Sequence, residues 1–186
     1  ICWTDLTSRG LAFRYFPIGF IFDCSANVCF AKNISIYKLL GFLNTKIIDR
    51  LSKIINPTMQ FKLGNFNALP FIKECPTIVE KLSKDNVKIV KDDWDYFETS
   101  WNFQHHPLIQ KTIAISTAFA NWKEECTARF KELKSNEEEL NRIFIDIYSL
   151  QNELTPEVED KDITVRKADV SREIRSFISY AVGCMF

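Results

Sequence analysis

At 186 residues, the chain has room for one domain or two small ones with a buried core. Hydrophobic residues at 46% and charged residues at 26% are typical of a globular protein and exclude a low-complexity or fibrous chain. The net charge is zero but unevenly spread: residues 1–75 carry nine basic and four acidic side chains, and the remainder carries fifteen and twenty. A basic part joined to an acidic part indicates a polyanion-facing surface and a separate scaffold.

The cysteine pattern and the lack of long apolar runs predict a cytoplasmic protein. The six cysteines include no Cys-x-x-Cys pair, and the nearest approach is Cys24 and Cys29 in a predicted turn. Zinc sites need closely spaced cysteines or histidines, so we predict free thiols and no metal. No segment resembles a signal peptide or a membrane span, so no membrane partner is expected. The chain begins at Ile1 rather than Met, which suggests a piece of a longer protein.

A β-α-β arrangement is predicted for residues 10–72, and it begins with a hairpin. Residues 11–21 are rich in β-branched and aromatic side chains, although Pro17 and Gly19 interrupt them. Residues 23–27 supply turn chemistry, and residues 28–31 predict the returning strand.

A single helix and an extended segment are predicted to follow. The helix begins at the cap residue Ser35 and stops before Pro57, which lacks a backbone donor and restricts Asn56. Residues 56–72 alternate apolar and polar side chains between two prolines, which predicts an extended strand. This stretch is expected to join a DNA-facing unit to a helical scaffold.

From Pro76 onward the apolar spacing becomes helical. It predicts a short helix over residues 77–83, an extended link over 86–90, a helix from 91, a long helical pattern over 119–154 and a last helix over about 167–185. Residues 135–138 either start a new helix or lie inside a continuous one. The whole pattern predicts an α+β protein: a small basic β-α-β/hairpin segment over residues 1–74, then a mostly α-helical region over residues 75–186.

The tripeptide Asn56-Pro57-Thr58 invites a catalytic interpretation. Adenine-N6 methyltransferases hold the flipped base with an Asn-Pro-Pro-Tyr-like motif, whose aromatic residue stacks on the base. Here Thr58 and Met59 follow, so the stacking residue is missing. The tripeptide also follows a predicted helix rather than a strand. A helix stop is therefore favoured.

Other chemical groups have a commoner structural interpretation. His105 and His106 are adjacent and point in different directions, and no carboxylate completes a site, so a structural or solvent-exposed role is expected. Trp94, Trp101 and Trp122 could stack on bases, but their helical spacing favours core packing. No Gly-rich phosphate loop is present. We therefore predict no catalytic, cofactor-binding or metal-ligating residue.

The basic and amide side chains of residues 1–74 are the feature with functional meaning. Such side chains bind phosphates and read base edges. The candidates for DNA contact are Arg14, Lys32, Asn33, Lys38, Gln60 and Lys62. Composition alone fits an ordinary solvated surface equally well.

Several segments resemble a known family. Residues 94–103 with the following His106-Pro107-Leu108, residues 136–150 with the following Glu153-Leu154-Thr155-Pro156, and residues 174–186 form three blocks. Together they are similar to the C-terminal part of PglX-type adenine-specific DNA methyltransferases of BREX phage-defence systems. Residues 44–70, with their Asn-Pro-Thr element, resemble the target-recognition region of such enzymes.

The resemblance implies a recognition role for this chain and places the catalytic motifs in an upstream part of the family's enzymes. The family's enzymes transfer a methyl group from S-adenosylmethionine to N6 of adenine in double-stranded DNA. Their glycine cofactor motif and their Asn-Pro-Pro-Tyr motif lie upstream, so this segment is expected to contribute target recognition and scaffolding without a cofactor of its own. The implied partners are double-stranded DNA, the upstream methyltransferase domain of the same chain and other phage-defence proteins.

Two other functions stay open. The long amphipathic helices and the acidic second part would also suit a protein-interaction module that docks defence-system components. Alternatively, the chain could be the specificity segment of a combined restriction-methylation enzyme, which requires an upstream nuclease motif.

Overall fold

The computed structural model describes residues 1–7, 10–23, 25–111 and 114–186. Within these residues the chain forms one two-stranded antiparallel sheet and six α-helices, so the predicted α+β class is confirmed. The elements are β1 (Cys2–Thr4), β2 (Ala26–Val28), α1 (Ile36–Leu43), α2 (Lys46–Ile55), α3 (Leu63–Asn67), α4 (Thr77–Asp95), α5 (Ile115–Ile147), a 3₁₀ turn (Asp160–Asp162) and α6 (Val170–Gly183). None of the described helices is long and apolar enough to cross a bilayer.

The sheet forms between other residues than the predicted hairpin. Strand β2 pairs with β1, with Cys2 opposite Val28, so the prediction of residues 11–21 as its partner strand is wrong. Within the described part of residues 11–21, the only bridge joins Arg14 to Cys2. Pro17 cannot donate a ladder hydrogen bond and Gly19 has a φ of +110°, so the segment turns instead of extending. Cys24, in the predicted turn, lies outside the described residues.

The predicted single helix is two helices. The helix breaks at Asn44 because its side chain bonds the backbone of Phe13, accepting from the amide at 3.1 Å and donating to the carbonyl at 3.1 Å. Ser35 occupies the predicted N-cap position of α1. Helix α2 ends at Ile55, and Asn56 is extended with φ −146° and ψ 100°, so the predicted stop before proline is confirmed.

The extended strand predicted for residues 56–72 is wrong. Gln60 makes a single bridge to Leu6, and the chain then enters the short helix α3. The Asn65 side chain accepts from the Lys62 amide at 3.0 Å, which starts this helix. The β-α-β arrangement therefore lacks its last strand.

Helix α4 is longer than the separate pieces predicted from the sequence, whereas α5 ends at Ile147, before the predicted end of the helical pattern at residue 154. The extended link predicted for residues 86–90 is wrong, because Val79, Ser83, Ile89 and Asp93 place a buried face along all of α4. In α5, residues 135–138 lie inside one continuous helix, which resolves the alternative left open by the sequence. Helix α6 starts at the N-cap Asp169, whose side chain accepts from the Arg172 amide at 2.8 Å.

The described chain divides into two compact units. Unit 1 comprises residues 1–85 and 136–157, and unit 2 comprises residues 86–135 and 158–186. The division at residue 74 between a recognition segment and a scaffold is a statement about function and stays a prediction.

Unit 1 has an aromatic core around Phe42, which is fully buried. Its ring lies 5.2 Å from Phe71, 5.3 Å from Phe144 and 5.8 Å from Tyr148. The neighbouring Gly41 lets α1 approach α4 closely, since a β-carbon there would overlap the Ser83 hydroxyl.

Unit 2 has two apolar clusters and a stacked arginine. Ile89, Phe130 and Leu133 belong to one cluster, and Leu108 and Trp122 belong to the other. The Arg129 guanidinium lies 4.7 Å from the Tyr96 ring centroid and 4.6 Å from that of Trp122. Its side chain is largely buried beside the second cluster, so it contributes to the packing of unit 2.

Candidate nucleic-acid interface

Strand β1 organises the part of unit 1 that carries the predicted DNA contacts. Its Trp3 is buried and donates from Nε1 to the Phe61 carbonyl at 2.7 Å. The Trp3 ring also stacks on Phe66 at 4.7 Å. The chain after β1 runs beside residues 59–61, with the Phe61 amide donating to the Asp5 carbonyl at 2.9 Å. These contacts hold the segment of Gln60 and Lys62 against the sheet.

Arg14 lies on the other side of β1. Its backbone amide and carbonyl both bond Cys2 at 2.9 Å, and its Nη1 donates to the Phe13 carbonyl at 3.1 Å. Desolvation by the surrounding protein lowers the pKa of the guanidinium, and the negative charge of Glu137 raises it. A guanidinium stays cationic at neutral pH in either case. Arg14 is exposed as a residue, but its guanidinium is partly desolvated by the surrounding protein and lies near an acid.

Asn56 holds the loop that presents Gln60 and Lys62. Its Oδ1 accepts from the Thr58 amide at 3.0 Å and from the Thr58 hydroxyl at 2.7 Å. Its Nδ2 donates to the Gln60 carbonyl and, at 3.4 Å, to Asn65 Oδ1. This is the Asx-turn chemistry that asparagine supplies in loops. The Asn56 side chain is occupied by its own loop, which agrees with the predicted structural role of the tripeptide.

The remaining predicted contacts differ in their surroundings. Lys32 and Asn33 are exposed in the loop between β2 and α1. Lys38 on α1 is half-buried, and its ammonium donates to the Cys75 carbonyl at 3.1 Å. Lys38 thus ties α1 to the loop before α4, which leaves it the least suited of the candidates to bind a phosphate.

The predicted residues lie on different segments of unit 1. Arg14, Gln60 and Lys62 all lie on segments that bond residues of β1 or the chain just after it, whereas Lys32 and Asn33 follow β2. Each stays a prediction as a DNA contact. Sequence reasoning missed two residues that shape this surface: Asn65, which bonds Asn56 and Lys62, and Glu137, distant in sequence from Arg14. The Asn-Pro-Thr pattern was a signal for the Asx turn, but no sequence signal pairs Glu137 with Arg14.

His106 is a core residue, as the structural interpretation of the pair predicted. It is 1% exposed, its Nδ1 accepts from the Leu108 amide at 3.2 Å, and its Nε2 lies 3.1 Å from Ser176 Oγ. Burial lowers the pKa of this imidazole and Glu173 raises it. In the described part of the chain, no group of three acidic, cysteine or histidine side chains is placed to hold a metal.

The three tryptophans do not share one environment. Trp122 is buried in unit 2, so the prediction of core packing is confirmed for it. Trp94 and Trp101 are 54% and 97% exposed, and core packing is wrong for these two. Trp101 falls in the loop after α4, where Ser100 Oγ donates to Asp95 Oδ1 at 2.7 Å and ends the helical spacing.

Comparison with known proteins gives two relatives that match along nearly the whole chain. The chain is 40% identical over 193 residues to the adenine-specific methyltransferase PglX of Lacticaseibacillus casei strain Zhang. It is 30% identical over 200 residues to the adenine-specific methyltransferase BrxX of Escherichia coli O9:H4 strain HS. The chain is similar to a segment of PglX-type adenine-specific methyltransferases. The resemblance seen in the sequence is thus confirmed.

Each match covers nearly all of this chain but only a small part of the relative. The alignments include 100% and 98% of this chain, but the chain spans 16% of the length of each relative. No protein-family model matches the chain.

Proposed function

We propose that the chain is a DNA target-recognition and scaffolding segment of an adenine-N6 DNA methyltransferase that acts in phage defence. The observation that carries the proposal is the match to adenine-specific methyltransferases along the whole chain, at 40% identity in one case. The chain's sequence contains neither a glycine cofactor motif nor an Asn-Pro-Pro-Tyr motif. In the proposal, S-adenosylmethionine and the reacting adenine are bound by another part of that methyltransferase.

The surface of unit 1 around β1 supports a DNA-facing role. It combines exposed cations, which suit phosphates, with exposed amides, which suit base edges. Arg14, Lys32 and Lys62 are the phosphate candidates, and Asn33 and Gln60 are the base-reading candidates. An amide that bonds the N6 and N7 atoms of adenine contributes about 1–3 kcal/mol of discrimination.

The proposal is tested by the salt dependence of duplex binding in the full-length methyltransferase that carries this segment. Each lost phosphate contact should make the slope of log affinity against log salt less negative by about 0.9. Replacing Arg14, Lys32 and Lys62 together by Ala is expected to produce such a change. Lys123→Ala with Lys131→Ala removes exposed charge from unit 2 and is the control. An unchanged slope in the triple variant would contradict the proposal.

Variants of the amides Asn33 and Gln60 and of the acid Glu137 test further parts of the proposal in the same binding assay. Asn33→Ala and Gln60→Ala should lower discrimination between target and altered sites while the salt slope stays constant, because amides displace no counterions. Glu137→Gln removes the acidic neighbour of Arg14 and should tighten binding to duplexes of any sequence. Weaker binding in Glu137→Gln would show that Arg14 does not face the DNA.

A second candidate function is the docking of other defence-system proteins. The observation that favours it is Trp101, an exposed aromatic side chain on a loop held by hydrogen bonds. Tryptophan is enriched among the residues that dominate protein interfaces. Trp101→Ala should then leave DNA binding intact and weaken assembly with a defence-system protein, measured by sedimentation.

A further inference from the structure

The loop of residues 16–22 is an apolar surface for which unit 1 offers no cover. Its sequence is Phe-Pro-Ile-Gly-Phe-Ile-Phe, seven residues without a charged or hydrogen-bonding side chain. Ile18 and Ile21 are fully exposed, at 106% and 98%. A β-carbon built on Gly19 at the tip meets no atom within 4 Å. Phe30, on the chain after β2, is a further exposed aromatic residue.

The base of this apolar loop is held firmly. Before it, Phe13 is buried, and its backbone amide and carbonyl both bond the Asn44 side chain. The backbone amide and carbonyl of Arg14 both bond the backbone of Cys2. Tyr15 stacks on Tyr37 of α1 at 5.5 Å. After it, Asp23 Oδ1 accepts from the Ser25 amide at 2.8 Å.

The loop also packs on itself. The Phe16 ring lies 5.1 Å from that of Phe20 and 5.8 Å from that of Phe22, both edge to face. These three rings support the turn that presents Ile18 and Ile21. A segment anchored at both ends and supported from within presents its apolar side chains in one arrangement, which lowers the entropic cost of binding.

The composition of the loop favours a protein partner over DNA. A DNA-binding surface needs cations among its contacts, and residues 15–22 carry none. Depletion of charge with enrichment in aromatic residues marks the centre of a protein interface.

We propose that the apolar loop docks on an apolar surface of the same polypeptide, in a part of the methyltransferase outside these 186 residues. The two relatives align along nearly all of this chain, yet it spans 16% of each. A partner on the same polypeptide is always present at high effective concentration. The inference needs the chain to be part of such a longer methyltransferase, but it does not need unit 1 to bind DNA.

The test uses carbene footprinting of the full-length methyltransferase without DNA, with each residue's labelling compared with that in the denatured protein. Residues 16–22 are expected to be protected like the buried Phe13, whereas Ile54 on α2 gives the reference for an exposed side chain. A photo-crosslinking residue at Ile18 should join to peptides of the same chain outside these residues, independently of dilution. Labelling of the loop like Ile54 would overturn the proposal, as would protection that requires DNA. Crosslinks to a second copy or to another protein, lost on dilution, would also overturn it.

Charged substitutions supply a second measurement. Ile18→Asp and Ile21→Asp should lower the melting temperature of the full-length protein, whereas Ile54→Asp, a similar change at an exposed site, should not. An unchanged melting temperature in both loop variants would contradict the docking. The variants should keep the salt slope of duplex binding, because the loop carries no cation. The docking and the DNA-recognition role can therefore fail separately.

Discussion

The two units use their polar side chains in different ways. In unit 1, the neutral side-chain amides of Asn44 and Asn56 hold nearby loops by bonding their backbone. The cations predicted to face DNA are mostly exposed. In unit 2, charged groups lie inside the unit, with Asp93 and Glu173 both buried. The predicted DNA contacts of unit 1 are thus available to an outside partner, while the buried charges of unit 2 stabilise the unit's own helices.

This comparison predicts that the buried charges of unit 2 contribute far more to its folding stability than the surface charges of unit 1 contribute to the stability of unit 1. Arg129 Nη2 lies 4.0 Å from Asp93 Oδ1, and both side chains are largely buried. Removing one partner of a buried pair leaves the other charge without compensation.

Arg129→Met should be the most harmful single change. It keeps the apolar volume between Tyr96 and Trp122 but removes one of three arginines whose charges stabilise the Asp93 carboxylate, which costs up to about 3–5 kcal/mol of unfolding free energy. Urea denaturation with a comparison of midpoints and slopes measures the loss. Adding Asp93→Asn to Arg129→Met should recover much of the stability. A double variant as unstable as the single one would show that stacking, not charge, is the main contribution of Arg129.

The same variant has a defined pH dependence. Burial raises the pKa of Asp93 above its ordinary value of 3.8, and Arg129 opposes the shift most strongly, followed by Arg166 and Arg172. Without Arg129 the pKa rises further. An acid with a raised folded pKa stabilises the native state below its unfolded pKa and loses this contribution as pH rises through the folded value. The destabilisation by Arg129→Met should therefore be smallest near pH 4 and grow toward neutral pH.

Gly41→Ala should destabilise unit 1 by steric overlap rather than by charge. The added β-carbon would overlap the Ser83 hydroxyl and lie 3.3 Å from Val79. Such overpacking costs about 1–3 kcal/mol. Differential scanning calorimetry measures the change, and Gly64→Ala is the control, since a β-carbon there meets nothing within 4 Å. Ser83→Ala should rescue Gly41→Ala, because the buried Ser83 hydroxyl has no hydrogen-bond partner among the described residues.

Asn56→Ala should weaken DNA recognition more than it weakens the fold. The change removes side-chain hydrogen bonds from an exposed loop, and a typical bond contributes about 0.5–1.5 kcal/mol net. The loop carrying Gln60 and Lys62 then loses its turn, so duplex affinity should fall. Asn67→Ala, at an exposed asparagine that ends α3, is the matched control. Equal affinities in the two variants would show that the Asn56 turn does not position the DNA contacts.

The sequence predicted those elements that depend on local chemistry. Pro57 ends α2 as expected, and the apolar spacing found α5 and α6. It failed where a tertiary contact decides the outcome. Asn44 breaks a continuous apolar stripe because its amide bonds Phe13, and β2 pairs with the first residues of the chain instead of with its neighbours.

The candidate site likewise contains residues that the sequence identified and tertiary contacts that it did not. Residue types alone selected Arg14, Gln60 and Lys62, and a local Asn-Pro-Thr pattern indicated the turn beside two of them. The acid near Arg14, Glu137, is distant from it in sequence, and the Lys38 ammonium donates to the carbonyl of Cys75 in another loop. Contacts of this kind are not encoded in local spacing, so no pattern in one sequence reveals them.

The smallest effect is expected where unit 2 pairs charges at its surface. Asp160 Oδ1 lies 2.8 Å from the Lys134 ammonium, and Oδ2 lies 2.8 Å from that of Lys167. Hydrogen bonds from the two lysines lower the pKa of this carboxyl to about 2. Because the folded pKa is depressed, the stabilisation is present above the unfolded pKa of 3.8 and is lost as pH falls toward 2.

An NMR titration of the Asp160 carboxyl measures this pairing directly. Lys167→Met should raise its pKa toward the ordinary value, whereas Lys161→Met should not, because Lys161 pairs with Glu159 instead. Added salt should raise the pKa in the unmodified protein, since Asp160 and Lys167 are solvent-exposed and Lys134 is only partly buried, so their charges are screened. A pKa that resists both salt and Lys167→Met would mean that this pair behaves like the buried charges around Arg129. The contrast between surface and interior charge would then fail within unit 2 itself.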